Sequence, residues 1–175
     1  MCAALTLEIQ GQCTVTIQNT GSNQCCTVLL AVTMDGHKLP PLIIYKGQPN
    51  GWIVREFVGS AAVQNGYPAG QVYTVQQKGW VDSRVFSIWI NSVWSPFCAG
   101  VGDSTYLIMD EFLVHRTSDS VWAIQEFGLE VDFIPGGYTG ALQVLDKGVN
   151  KLFKQFVQQE YELWMVANED GAKPG

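Results

Sequence analysis

Apolar and polar positions along this chain change period about halfway. In the first part, apolar residues recur at every second position or in short runs. Ala4 to Glu8 and Thr14 to Gln18 partly alternate and predict two strands, with Gly11 and Gln12 between them as a turn. Thr27 to Met34 (TVLLAVTM) is apolar and β-branched and predicts a buried strand. Asp35-Gly36 is a turn signal, and Leu42 to Tyr45 reads as the return strand. These segments together suggest an antiparallel meander. Residues 47–70 hold repeated glycine and proline and read as loop, with a short strand at Val72 to Val75 after them.

From Asp82 onward the period becomes helical. Asp82 is placed as an N-cap, and Val85, Phe86, Trp89, Ile90, Val93 and Trp94 follow at the spacing of one buried helix face. Pro96 is expected to end that helix. Thr105 to Met109 (TYLIM) predicts a short strand that ends at Asp110. A second helix is expected from Ser118 to Gly128, a strand from Glu130 to Ile134, and a last helix from about Leu142 to Val166. Strands that alternate with helices predict an α/β domain whose mixed sheet contains parallel strands and carries helices on its faces. Residues 1–167 read as one domain and 168–175 as a polar tail.

Composition narrows the function classes. The chain has 175 residues, 47% hydrophobic, enough for one domain with a sizeable core. Charged residues make up 15%, against about 25% in an average domain. Ten Lys and Arg against 16 Asp and Glu leave a net charge of −6, which argues against a general nucleic-acid coat protein. Any contact with DNA is then local or metal-assisted. No apolar run approaches the ~20 residues of a membrane span, and the N-terminus lacks the features of a secretory signal. The five cysteines form no Cys-x-x-Cys pair, which excludes a zinc ribbon and fits a reduced intracellular compartment.

Two acids stand out for chemistry. Asp110 follows a buried strand directly, at the strand end where ligand sites gather in open α/β sheets. Asp146 falls, on a wheel of 100° per residue, between an apolar face (Val149, Leu152, Phe153, Phe156) and a basic face (Lys147, Lys151, Lys154). The bland readings are a strand-end acid that caps a turn and a first-turn acid favoured by the helix dipole. The three lysines read as a solvated face or, if the acids form a site, as phosphate contacts. Two carboxylates at a sheet edge suit Mg²⁺ or Mn²⁺, and two such ions suit in-line phosphoryl displacement. His37 and His115 each lack a second His at ligand spacing. Gly136-Gly137-Tyr138-Thr139 lacks the ending of a phosphate loop.

At this point the motif strings carry a resemblance. They are Leu29 to Gly47 (LLAVTMDGHKLPPLIIYKG), Lys78 to Asp82 (KGWVD), Trp89 to Phe97, Leu107 to Phe112 with His115, Asp132 to Thr139, and Leu142 to Lys151 followed by Phe153-Lys154. Together they resemble the DDE superfamily endonuclease domain of transposases in the mariner superfamily. The branch is that of pogo and Tigger elements, with centromere-protein-B-like and jerky-like relatives. The resemblance implies an RNase H-like fold, a five-stranded mixed sheet flanked by helices. It also implies metal-dependent cleavage and strand transfer of DNA, a nuclear location, and DNA and a second copy of the chain as partners. Its acids lie on the first strand, the fourth strand and a late helix. Asp110 matches the second and Asp146 the third, and both are implied metal ligands and catalytic residues.

The chain departs from that pattern at the first acid. The matching strand is expected to precede Leu5 to Gln18 and so to be absent, and Glu8, the one early acid, lies in a different motif. Val144 replaces a proline common in the family's last motif. The expectation is a sheet without its central first strand, weak metal binding and impaired cleavage. The alternatives are a non-catalytic domain adopted for nucleic-acid or protein interaction, and a relic without function.

Overall fold

The computed structural model describes residues 3–9, 26–57, 60–101, 105–110, 130–134 and 148–167. Among the described residues six strands form one sheet: β1 Ala3–Ile9, β2 Cys26–Thr33, β3 Leu42–Lys46, β4 Val72–Gln76, β5 Thr105–Asp110 and β6 Glu130–Ile134, in the spatial order β4-β3-β2-β1-β5-β6. β1, β2 and β3 are antiparallel neighbours, as the meander pattern predicts. β4 lies parallel to β3, and β5 and β6 run parallel to β1. The architecture is the expected mixed α/β sheet with helices against it, RNase H-like in class. β4 extends the expected five strands to six.

The centre of the sheet corrects an expectation. The position expected to be vacant is occupied by Ala3–Ile9, which pairs with β2 on one side and β5 on the other. An empty centre would leave a row of backbone N–H and C=O groups on both neighbours without partners. An alternating apolar segment of strand length satisfies both rows at once.

Asp35-Gly36 closes the turn after β2, with Gly36 at φ +88° in the left-handed region that glycine tolerates. The Gly36 N–H donates to the Thr33 carbonyl at 3.0 Å, and the Thr33 hydroxyl donates to the Asp35 carboxylate. Residues 47–70, read from sequence as loop, instead contain two short helices, α1 Trp52–Phe57 and α2 Ser60–Gln64. They form part of the crossover that parallel strands such as β3 and β4 require. The glycines punctuate the helices rather than preclude them.

Asp82 caps α3 (Ser83–Trp89), its carboxylate accepting from the Val85 N–H at 2.8 Å. Pro96 does not end the helix. A π-helical turn over Ile90–Trp94 leads directly into α4 (Ser95–Val101). The Ser95 N–H donates to the Ile90 carbonyl, five residues back, just before the proline that has no N–H to give. The wider turn shifts the hydrogen-bond register and lets the chain continue past Pro96. Val85, Phe86, Trp89, Ile90, Val93 and Trp94 are all buried. They pack on Leu29, Ala31, Leu42, Ile44, Leu107 and Met109 of the sheet, which makes this face the main core.

The last helix described, α5, spans Asn150–Ala167. The expected strand at Thr14 to Gln18, the helix from Ser118, the beginning of the last helix and the tail lie outside the described residues.

Candidate functional site

Three parallel strands, β1, β5 and β6, end at the same edge of the sheet. Asp110 is the last residue of β5, paired with Ile134 on one side. The sequence puts it there for a plain reason. Leu107 and Met109 alternate into the core at 0% exposure, so the strand is held up to its final turn of the pleat. Tyr106 and Ile108 belong to the other alternation and are half-buried on the face opposite the α3–α4 core.

On the other side of β5 the register runs Ala3 with Thr105, Ala4 with Tyr106, Leu5 with Leu107, Thr6 with Ile108 and Leu7 with Met109. The next residues along both strands are Glu8 and Asp110. Both lie toward the C-terminal ends of neighbouring parallel strands. Across β1, Glu8 is paired with Leu30 of β2.

Leu30 leads to the last helix. Leu30, Val32, Lys38 and Leu39 line an open groove of about 440 Å³ whose opposite wall is Gly148, Val149, Leu152, Phe153 and Phe156. The apolar face expected of that helix thus lines the far side of the groove, with Leu152 and Phe156 exposed. Lys151 and Lys154 are exposed on the rest of the helix, as expected of a solvated or phosphate-facing stripe. Asp146 and Lys147 lie outside the described residues. Gly148 lines the same groove as Leu30.

The Tyr106 hydroxyl donates to the Asp132 carboxylate of β6. That bond, then burial, then the charges of Asp132 and Glu130 push the phenol above its ordinary pKa. His37 lies in the β2 turn, its N–H donating to the Thr33 hydroxyl at 2.9 Å, which is a structural role. His115 and the Gly136 to Thr139 segment lie outside the described residues. Among the described residues no group of three or more His, Cys, Asp or Glu is gathered as a metal site.

A carboxylate at the end of a strand is the type of donor that a hard divalent cation takes, and Asp110 is of that type.

A family model for DDE superfamily endonuclease matches residues 23–174. A mouse (Mus musculus) protein described as a pogo transposable element with KRAB domain is 28% identical over 174 residues. That alignment covers 97% of this chain and 26% of the relative. The human (Homo sapiens) protein of the same description matches at the same identity and coverage. A human pogo transposable element with ZNF domain is 22% identical over 147 residues, which is 83% of this chain and 10% of that relative. The chain spans about a quarter of the length of the first two relatives. With the family model matched over most of its length on a mixed α/β sheet of the expected class, the chain belongs to the DDE superfamily endonucleases, among relatives of pogo transposable elements.

Proposed function

We propose that this chain is a transposase-derived domain that cleaves DNA phosphodiester bonds with the help of Mg²⁺ or Mn²⁺, and that it acts in the nucleus. The observation that supports this most is the placement of Asp110 at the end of a buried strand, on an edge where three parallel strands terminate. Asp110 and Asp146 are the two metal ligands. A divalent ion held there would activate the attacking oxygen and steady the leaving one. The chain's own residues do the rest. Asp110 is fixed by its strand, so its position costs no ordering when the ion binds. Lys147, Lys151 and Lys154 meet backbone phosphates and orient the strand. The acidic net charge leaves those contacts local, which favours a partner segment that delivers the DNA. A second copy of the chain is a natural partner where two DNA ends are to be joined.

The central strand Ala3–Ile9 holds no aspartate, so cleavage is expected to be slower than in a relative that carries one there. This departure also favours a second reading, a domain that keeps nucleic-acid binding without cleavage. The experiment that separates them is nicking of supercoiled plasmid in Mg²⁺ or Mn²⁺, with DNA affinity measured in parallel. Asp110→Asn and Asp146→Asn should each lower nicking by about 10²-fold or more, beyond the 10- to 100-fold typical of losing a partner of a metal ligand, while DNA affinity holds. Equal nicking by wild type and both variants overturns the metal-site reading. Metal-independent binding with no nicking supports the second reading.

A further inference from the structure

We infer that the last helix is a self-pairing surface: α5 packs antiparallel against α5 of a second copy of this chain, about a two-fold axis at Gln159. This gives a surface to the second copy invoked above, and it stands on the helix without any step of the metal-dependent reading.

α5 carries two apolar stripes where its sequence predicts one face. Val149, at the entry of the helix, and Phe153, Val157 and Tyr161 recur at every fourth residue and are half-buried. Val149 and Phe153 line the groove with Leu30 and Val32 of β2. Beside this stripe runs a second one. Leu152, Phe156, Leu163 and Val166 are 54%, 60%, 64% and 69% exposed. Together with Gln159 they fall within an arc of about 80° on a wheel of 100° per residue. From Leu152 through Gln159 to Val166 the spacings are 4, 3, 4 and 3 residues, the repeat of a coiled-coil seam. A line of large apolar side chains in water marks an interaction surface, because their burial is what association gains.

The seam is complementary to its own reverse. Antiparallel pairing about Gln159 sets Leu152 against Val166, Phe156 against Leu163, and Gln159 against its own copy. Each apolar residue then meets an apolar one, and the two amides can hydrogen-bond to each other. The charges favour the same orientation. Lys151, Gln155 and Glu162 are exposed along one flank of the seam. Antiparallel pairing brings the Lys151 end of one helix toward the Glu162 end of the other. Parallel pairing would set lysine beside lysine and glutamate beside glutamate. The helix dipoles also attract only in the antiparallel arrangement.

The same residues set the strength of the pair. One polar residue in an apolar seam fixes register at a cost in stability. On the other flank Glu160 meets its own copy. A helix of 18 residues is about 27 Å long, and one seam of that length buries less than the roughly 800 Å² per partner of a standard interface. The dimer is therefore a weak one, with a dissociation constant in the micromolar range.

Sedimentation equilibrium of the whole chain from about 1 to about 100 μM tests this, and wild type should pass from monomer to dimer across that range. Leu163→Glu should weaken the dimer at least about 10-fold, with the circular dichroism and Tm of the dilute protein unchanged because Leu163 is exposed. Gln159→Leu completes the apolar seam and should tighten the dimer at least about 10-fold, which tests the surface without relying on a disruptive variant. Disulfide cross-linking reads the orientation. Leu152→Cys mixed with Val166→Cys should cross-link above the background of the native cysteines, and either variant alone should not. Three outcomes overturn the inference. A wild type that stays monomeric leaves the stripe to a different partner. A dimer unmoved by Leu163→Glu and Gln159→Leu has its interface elsewhere. Cross-linking of Leu152→Cys with itself makes the helices parallel. None of these measurements uses DNA or metal, so the metal-dependent reading stands if they fail, and the dimer stands if nicking is absent.

Discussion

Leu7 lies opposite Met109 in the parallel pairing of β1 with β5. That one relationship governs the functional edge of the sheet. Met109 is fully buried against the α3–α4 core, and the two strands run on in parallel to their C-terminal ends at Ile9 and Asp110. A slip of one residue in this pairing would exchange the two faces of one strand relative to the other. The apolar alternation of both strands forbids that slip, so the hydrophobic core sets where Asp110 falls along the edge.

The lysines of the last helix give a prediction about salt. Each phosphate contact contributes about 0.9 to the slope of log affinity against log salt concentration for duplex DNA. Replacing exposed Lys151 and Lys154 with Gln should lower that slope by up to about 1.8, and Lys147→Gln should lower it further. Fluorescence anisotropy on a labelled duplex across a salt series measures it. An unchanged slope assigns the stripe to solvation alone.

Asp82 joins the main helix to the sheet. One carboxylate oxygen accepts from the Val85 N–H at 2.8 Å, and the other accepts from the Gln76 side-chain amide at 3.2 Å. Asp82→Ala should cost about 0.5–2 kcal/mol, toward the upper end because the contact with β4 is lost as well. Asp82→Asn, which keeps a capping oxygen, should cost less. Urea denaturation of the three proteins compares them.

The tryptophans of the core behave differently under truncation and under trimming. Trp89 is fully buried, Trp94 is 1% exposed, and the indole N–H of each lacks a hydrogen-bond partner. Trp89→Ala should cost about 3–5 kcal/mol through the cavity it leaves. Trp89→Phe should cost clearly less than that, because it also removes an unsatisfied buried donor, whose burial disfavours the fold by about 1–3 kcal/mol. A Phe variant as unstable as the Ala variant would show that the indole ring itself, and not its volume, is required.

Tyr106 predicts an alkaline limit to stability. Its pKa in the folded chain is raised, first by the hydrogen bond to Asp132, so folding favours the protonated phenol. The stabilisation is fully present below the ordinary tyrosine value near 10 and is lost as pH rises through the raised value. Denaturation midpoints measured from pH 8 upward should fall more steeply for wild type than for Tyr106→Phe. Identical profiles would mean that the Asp132 bond does not persist in solution.

Much of the fold is legible in the sequence, and particular residues show why. β2, β3, β5 and β6 announce themselves by apolar alternation, Asp35-Gly36 by its turn chemistry, and α3 by the Asp82 cap and the spacing from Val85 to Trp94. These are local signals, each carried by residues a few positions apart. Pro96 misled because a π turn ahead of it replaces the missing hydrogen bond, a device that no propensity encodes. The helices of 52–57 and 60–64 were hidden by glycines that mark their ends. At the site, the family resemblance and strand-end position of Asp110 were both readable.

What the sequence determined by itself was the class of the fold, the two faces of each strand and the two acids that match the family. These follow from periodicity and from local motifs. Only the tertiary structure decided which strand fills the centre of the sheet and which strands flank it. Strand partners 102 residues apart, such as Leu7 and Met109, are chosen by the need to pair every central backbone group and to bury every alternate side chain at once. Neither Ala3–Ile9 nor Thr105–Asp110 carries that information alone.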